Sequence, residues 1–213
     1  MQTDEARVPL FALVRHRLTT DGQGVTTLAA AWGYPLRCRF CLNPQSWREE
    51  TPVRRVTPQE FYDLVKIDDL YFQATGGGVT FGGGEPLTHA PFIRAVRALC
   101  GDRWRLCAET CLNIPSPLLD MAMECVDEFI VDIKDTNPEI YRRYTGADNA
   151  RTLANIEALV QRVGPLRVVA RVPLIPGYNT PADVEASVGK LRGLGVERFD
   201  TFTYRTTSEM APT

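Results

Sequence analysis

Six short apolar runs recur along the chain, each separated from the next by a stretch with helical character, and this alternation limits the possible folds more than any other feature. The runs are "VTTLAAAW" (25–32), "GVTF" (78–81), "RLCAET" (105–110), "EFIVDIK" (128–134), "RVVARVPLI" (167–175) and "RFDTFTY" (198–204). Each is short, rich in β-branched or aromatic residues and bounded by Gly, Pro or Asp, which is the pattern of buried strands. Between them lie "TPQEFYDLVKIDDLYFQA", "APFIRAVRALCG", "SPLLDMAMEC", "NARTLANIEALVQRVG" and "TPADVEASVGKLRGLG". Thr-Pro or Ser-Pro starts and glycine ends mark these segments as helices. Strands that alternate with helices give a parallel sheet with the helices packed outside it.

Polar, acidic or Gly-rich residues sit at or just past the ends of nearly all six strands: the cysteine loop, Gly82 to Glu85, Glu109-Thr110, Asp132 with Lys134, Pro176 to Asn179 and Tyr204-Arg205. In a barrel-like sheet these ends share one mouth, whereas a doubly wound sheet gathers its ligand at one switch point. The expected fold is therefore α/β, a partial TIM-like barrel of about six βα units with a parallel sheet. No repeat, low-complexity tract or linker interrupts the 213 residues, so a single domain over 1–213 is expected.

The formal charge of −2, with 24 cationic residues scattered among 26 acidic ones, provides no basic field for nucleic acid. The opening "MQTDEARVPLFALVRHRL" lacks the basic start and apolar core of a signal peptide. No stretch reaches the ~18 consecutive apolar residues of a membrane span. A cytoplasmic location without membrane or nucleic-acid partners is expected. There the six cysteines read as metal ligands, catalytic groups or small buried hydrophobes, the last for Cys100 and Cys125.

Cys38 and Cys41, in "AAWGYPLRCRFCLNPQSW" (30–47), are a C-x-x-C pair in a Gly- and Pro-rich loop. Two thiolates at this spacing can hold one soft metal or two corners of an iron–sulfur cluster. The "GGGVTFGGGEP" segment (76–86) lets backbone approach a ligand closely, and Glu85 offers an anion to an ammonium group. A tight βα turn with Glu85 in the first turn of a helix explains the same residues. Asp132 and Lys134 share one strand face, ready to bind a ligand or to pair with each other. Arg171, inside a strand, suits a carboxylate. His16 and His89 are isolated and read as surface or capping residues.

Taken together and in order, "CRFCLNPQSW", "GGVTFGGGEP", "VDIKDTNPEIYRRYTG" and "RVPLIPGYNT" resemble the radical S-adenosylmethionine superfamily, in its branch of glycyl-radical-enzyme activating enzymes. The resemblance implies a 4Fe-4S cluster on a C-x-x-x-C-x-x-C motif, with S-adenosyl-L-methionine on the open iron. An electron then cleaves the sulfonium, and the resulting 5′-deoxyadenosyl radical abstracts hydrogen. Carried over by position, Cys38 and Cys41 are the second and third cluster ligands, and Phe40 packs near the adenine. Gly83, Gly84 and Glu85 receive the methionyl ammonium, Glu109 and Asp132 stand beside the cofactor, and Lys134 and Arg171 line the mouth as catalytic candidates. Asn43 and Trp47 match the stretch after the last cysteine. The implied partners are a glycyl radical enzyme and an electron donor of flavodoxin or ferredoxin type.

Tyr34 stands where the first cluster cysteine belongs. A cluster here needs the Tyr34 phenolate, a harder ligand than thiolate, a distant thiolate such as Cys111, or an exogenous ligand. Two other readings stay open. One is a cluster-deficient binding or scaffold protein that keeps the cofactor pocket. The other is a structural zinc protein that uses Cys38, Cys41, Cys107 and Cys111.

Overall fold

The computed structural model describes residues 7–18 and 22–204, so the chain beyond Tyr204, Arg205 included, lies outside the described residues. Residue contacts gather into two compact units. Among the described residues one comprises 7–18, 22–34, 43–110 and 115–129, and the other 35–42, 111–114 and 130–204.

The first unit contains β1 (Val8–Leu18), β2 (Val25–Ala31), β3 (Arg54–Val56), α1 (Pro58–Val65), α2 (Asp69–Thr75), β4 (Gly78–Gly83), α3 (Ala90–Cys100), β5 (Arg105–Thr110) and α4 (Ser116–Met123). Its strand order is β3-β1-β2-β4-β5. β2, β4 and β5 run parallel, in the registers Thr26 to Gly78 and Val79 to Leu106. β1 and β3 add an antiparallel edge that extends the expected set of strands. Thr57 begins α1 with a capping box, accepting from the Glu60 amide at 3.1 Å while the Thr57 amide donates to Glu60 Oε2 at 2.8 Å. The core is aromatic: Phe61 meets Phe81 at 5.8 Å and Phe92 at 5.6 Å, and Phe72 meets Trp104 at 5.5 Å.

The helix expected over 57–74 is broken by a 3₁₀ turn at Lys66–Asp68. The turn directs Asp68 inward, where it is wholly buried. Its carboxylate accepts from Arg15 Nε at 2.8 Å, from the Arg15 NH2 group, from His16 Nε2 at 2.9 Å and from Thr27 Oγ1 at 3.0 Å. His16, expected to be isolated, takes a left-handed φ of 57° at an irregularity of β1 to make this contact. Burial alone would raise the Asp68 pKa, but the hydrogen bonds from Arg15, Thr27 and His16 outweigh it and hold the carboxyl below the aspartate range. The resulting stability is complete above the unfolded pKa, about 3.9, and is lost as pH falls through the lower folded value. Asp68→Asn is expected to cost about 2 kcal/mol at neutral pH and to flatten acid destabilisation below about pH 5. Urea unfolding across a pH series checks this, and a variant with the wild-type acid dependence would remove Asp68 from the account.

β6 (Glu128–Asp132) begins in the first unit and ends in the second. The second unit continues with α5 (Pro138–Thr145), α6 (Ala150–Val163), β7 (Val168–Leu174), α7 (Pro181–Gly193) and β8 (Arg198–Thr203), and its strands follow the order β6-β7-β8. β7 and β8 are parallel, with Arg171 opposite Asp200. α5 is capped by Asn137, whose Oδ1 accepts from the Glu139 amide at 2.9 Å, and ends at Gly146 with φ +77°. α7 repeats the capping box with Thr180 and Asp183. Its α/β character and parallel βα order match the expectation. The α5 helix, embedded in the "DTNPEIYRRYTG" segment, extends it.

Candidate active site

The candidate residues fall in both units. In the first, the Gly-rich strand end is clamped onto backbone. The Gly84 amide donates to the Ala31 carbonyl at 2.8 Å, the Glu85 amide to the Gly33 carbonyl at 2.8 Å, and the Gly33 amide to the Ser46 carbonyl at 2.7 Å. A Cβ on Gly84 would lie 2.2 Å from the Gly33 oxygen, so this glycine serves a close approach of two chain segments. Asn43 opens the short turn Pro44–Ser46 that supplies the Ser46 carbonyl and leads into Trp47. Tyr34, half-buried, follows Gly33 directly and so inherits a fixed starting point.

Glu85 is wholly buried. Its Oε1 accepts from Thr110 Oγ1 at 2.7 Å and from the Leu87 amide at 3.1 Å, capping the 3₁₀ turn Pro86–His89. Gly83 takes φ +83°, and a Cβ there would meet Ala30 at 2.8 Å. Half-buried Glu109 lies over Gly82, whose Cβ would stand 3.0 Å from Glu109 Oε2. His89 Nε2 reaches the Trp32 carbonyl at 3.4 Å.

In the second unit the cysteine loop turns at Arg39-Phe40, with Leu36, Cys38 and Phe40 buried and Arg37 and Arg39 exposed. The Arg37 amide donates to the Thr145 carbonyl at 2.9 Å and the Arg39 amide to the Tyr144 carbonyl at 3.1 Å, fixing the loop on the end of α5. The Phe40 ring meets Tyr178 edge-on at 5.6 Å and Tyr144 at 6.2 Å. Cys41 is half-buried.

Lys134 is 4% exposed, with its ammonium 2.9 Å from Asp132 Oδ2 and 5.7 Å from the Tyr204 ring centroid. Burial opposes its charge, but Asp132 first, then Tyr204 and Cys38, hold its pKa well above the ordinary lysine range. The site therefore keeps a fixed positive charge in the neighbourhood of Cys38. Arg171 Nε stands 3.5 Å from Asp200 Oδ2, a partner that only the β7–β8 register supplies. Sequence reasoning also missed buried Asp135, which accepts from the Asn137 amide at 2.8 Å and from Asn179 Nδ2 at 3.1 Å. Its signal lay in "IKD" and "PGYNT", where a polar residue follows each strand end.

The donor set fits an iron–sulfur group in part. Cys38 and Cys41, on one loop of the second unit, are soft donors, and Tyr34, in the first unit, is a hard oxygen donor. Among the described residues no three His, Cys, Asp or Glu side chains gather as a metal site. Cys107 faces Glu128 Oε2 at 3.9 Å, and burial followed by Glu128 pushes its thiol pKa up to about 12. Cys100 and Cys125 are buried, as expected.

The radical SAM superfamily domain matches residues 35–191. The chain belongs to that superfamily. The pyruvate formate-lyase-activating enzyme of Staphylococcus aureus (strain USA300) is 31% identical over 195 residues, covering 87% of this chain and 77% of that one. A crystal structure of a domain of pyruvate-formate lyase-activating enzyme from Bacteroides vulgatus ATCC 8482 matches with a TM-score of 0.54 and 26% identity, covering 63% of this chain and 88% of that one. Streptococcus suis SuiB bound to S-adenosylmethionine matches with a TM-score of 0.65 over 85% of this chain and 40% of that one. At 12% identity it is a likeness of fold alone. This radical SAM protein thus has the α/β fold class of the partial TIM-like barrel and is an oxidoreductase-type enzyme. Among the described residues no helix is long and apolar enough to cross a membrane.

Proposed function

We propose that the chain is an activase that generates a radical on a glycyl radical enzyme, working as a single domain over 1–213. In this reading Cys38 and Cys41 hold two irons of a 4Fe-4S cluster, and Tyr34 or an exogenous ligand serves the third position. Phe40, Gly83, Gly84, Glu85, Glu109 and Asp132 bind S-adenosyl-L-methionine. When bound, the cluster supplies the electron that cleaves this cofactor. Lys134 holds a buried positive charge paired with Asp132, and Arg171 orients a carboxylate. The electron comes from a flavodoxin or ferredoxin type donor.

One observation carries the reading. Cys38 and Cys41 sit on a loop pinned to the end of α5 at two backbone positions. The activating-enzyme relative supports the choice of target. The test is anaerobic reconstitution with iron and sulfide, followed by low-temperature EPR of the reduced protein with and without S-adenosyl-L-methionine. A cubane signal that shifts with the cofactor is expected, and a chain that retains no iron or sulfide would overturn the proposal. A second reading is a protein that binds the cofactor without cleaving it, because Tyr34 leaves the C-x-x-C loop one thiolate short of the family's motif. Calorimetric binding to cluster-free protein would support that alternative.

A further inference from the structure

Three donors converge on one carboxylate just past the end of β6, all within the second unit. Asp135 is 2% exposed. Its Oδ1 accepts from the Asn137 amide at 2.8 Å and from Ser187 Oγ at 3.4 Å, and its Oδ2 accepts from Asn179 Nδ2 at 3.1 Å. A carboxylate removed from water needs such donors, and one that accepts on both oxygens has no equivalent in an amide, which offers a single acceptor.

Two of the three bonds lead to the Phe40 ring. The first runs through Asn137, the cap of α5, and the far end of that helix offers the Tyr144 and Thr145 carbonyls to the Arg39 and Arg37 amides. The second runs through Asn179, whose Oδ1 accepts from the Ile175 amide at 2.6 Å and whose Nδ2 also donates to the Pro173 carbonyl at 3.1 Å. These two bonds fix the amide so that its N–H2 group faces Asp135. The preceding residue, Tyr178, meets Phe40 edge-on at 5.6 Å and Tyr144 at 5.0 Å. Phe40 thus rests on two tyrosines, one carried by each arm. The third bond leads elsewhere: Ser187 lies on α7 and accepts from the Thr136 amide at 3.0 Å.

We propose that Asp135 is a positioning residue for the cofactor pocket, which ties Asn179 and Asn137 to one point and so sets where the Phe40 ring stands. The identity of the cofactor rests on the activase reading above. A side chain that receives a ligand needs support that fixes it to about 0.5 Å, and here that support is buried two steps behind the ring.

The test follows a para-fluorine on Phe40 by ¹⁹F NMR in the cluster-free full chain, and S-adenosyl-L-methionine affinity by calorimetry in the reconstituted protein. Asp135→Asn is nearly isosteric; its one oxygen stays with the local Asn137 amide, so the Asn179 arm meets an N–H2 group. The variant is expected to shift the Phe40 resonance and to weaken cofactor binding on the order of tenfold, with iron and sulfide content unchanged. Ser187→Ala removes a donor from the same carboxylate on the side away from the ring. It should leave both readouts at wild type even where it lowers the urea midpoint. Asn179→Ala breaks the second arm from its far end, and with Asp135→Asn in a double-mutant cycle it should be non-additive on the fluorine signal. It also decides the matter if Asp135→Asn does not fold. An unmoved Phe40 resonance in Asp135→Asn and Asn179→Ala, or an equal response in Ser187→Ala, would overturn the assignment. Wild type that binds no S-adenosyl-L-methionine, with the resonance moving as expected, defeats the activase reading and leaves the positioning of Phe40 standing.

Discussion

Replacing Tyr34 by Cys is expected to raise several-fold the iron and sulfide retained after anaerobic reconstitution, and to strengthen the reduced cluster signal with it. The change exchanges a hard oxygen donor for a soft thiolate at the position four residues before Cys38. Its geometric cost is small, because Tyr34 is only half-buried and follows a glycine whose amide and carbonyl are already engaged. Iron and sulfide assays, EPR and cofactor cleavage should therefore rise together if Tyr34 limits the site. Unchanged iron content would mean that wild type already completes its ligand set, or that the loop serves binding alone. Cys111→Ala in both backgrounds separates these outcomes, since only a substitute thiolate would make wild type sensitive to it.

The second large effect concerns folding. Gly84→Ala is expected to destabilise the protein by about 3 kcal/mol, the upper part of the range for overpacking a tight site. The new Cβ would fall 2.2 Å from the Gly33 carbonyl oxygen and 2.7 Å from the Ala31 oxygen, and both belong to backbone that cannot swing aside. Displacing them would also break the Glu85 amide bond to Gly33 and shift the residue before Tyr34. Gly189→Ala is the matching control: it lies inside α7, its Cβ would meet nothing within 4 Å, and helix propensity predicts a gain of about 0.5–1 kcal/mol. Urea midpoints measured side by side should move in opposite directions. Equal shifts would show that the clamp yields.

Short apolar runs with Gly, Pro or Asp boundaries predicted β2, β4, β5, β6, β7 and β8, and the buried ones advertise themselves as near-continuous apolar stretches, whereas β8 is mostly exposed. β1 was harder to see. Its second half carries Arg15, His16 and Arg17, which belong to an edge with an irregular register. β3 has three residues and no pattern to read. The break between α1 and α2 was hidden because Asp68 occupies a helical position in the sequence while its side chain answers to Arg15, 53 positions away. At the site, the Asp132–Lys134 pair was legible from spacing, although β6 ends at Asp132 and Lys134 lies two residues beyond it rather than on the same strand. Asp200 beside Arg171 was not, because β7 and β8 meet through a register that no local pattern encodes. Glu85 announced an anion, but the hydrogen bond from Thr110 that holds it comes from a different strand.

The pinning of the cysteine loop on α5 also bears on how the protein is made. Phe40 and Tyr144, joined by the 3.5 Å bond from the tyrosine hydroxyl to the Phe40 carbonyl, are 104 residues apart. A ribosome adding about 5–20 residues per second exposes Cys38 and Cys41 for on the order of ten seconds before α5 exists to shape them. During that interval the two thiols are an unstructured chelating pair on a nascent chain, open to the wrong metal or to oxidation. In the activase reading proposed above, cluster loading is therefore timed by emergence of the second half of the polypeptide rather than by synthesis of Cys38 and Cys41.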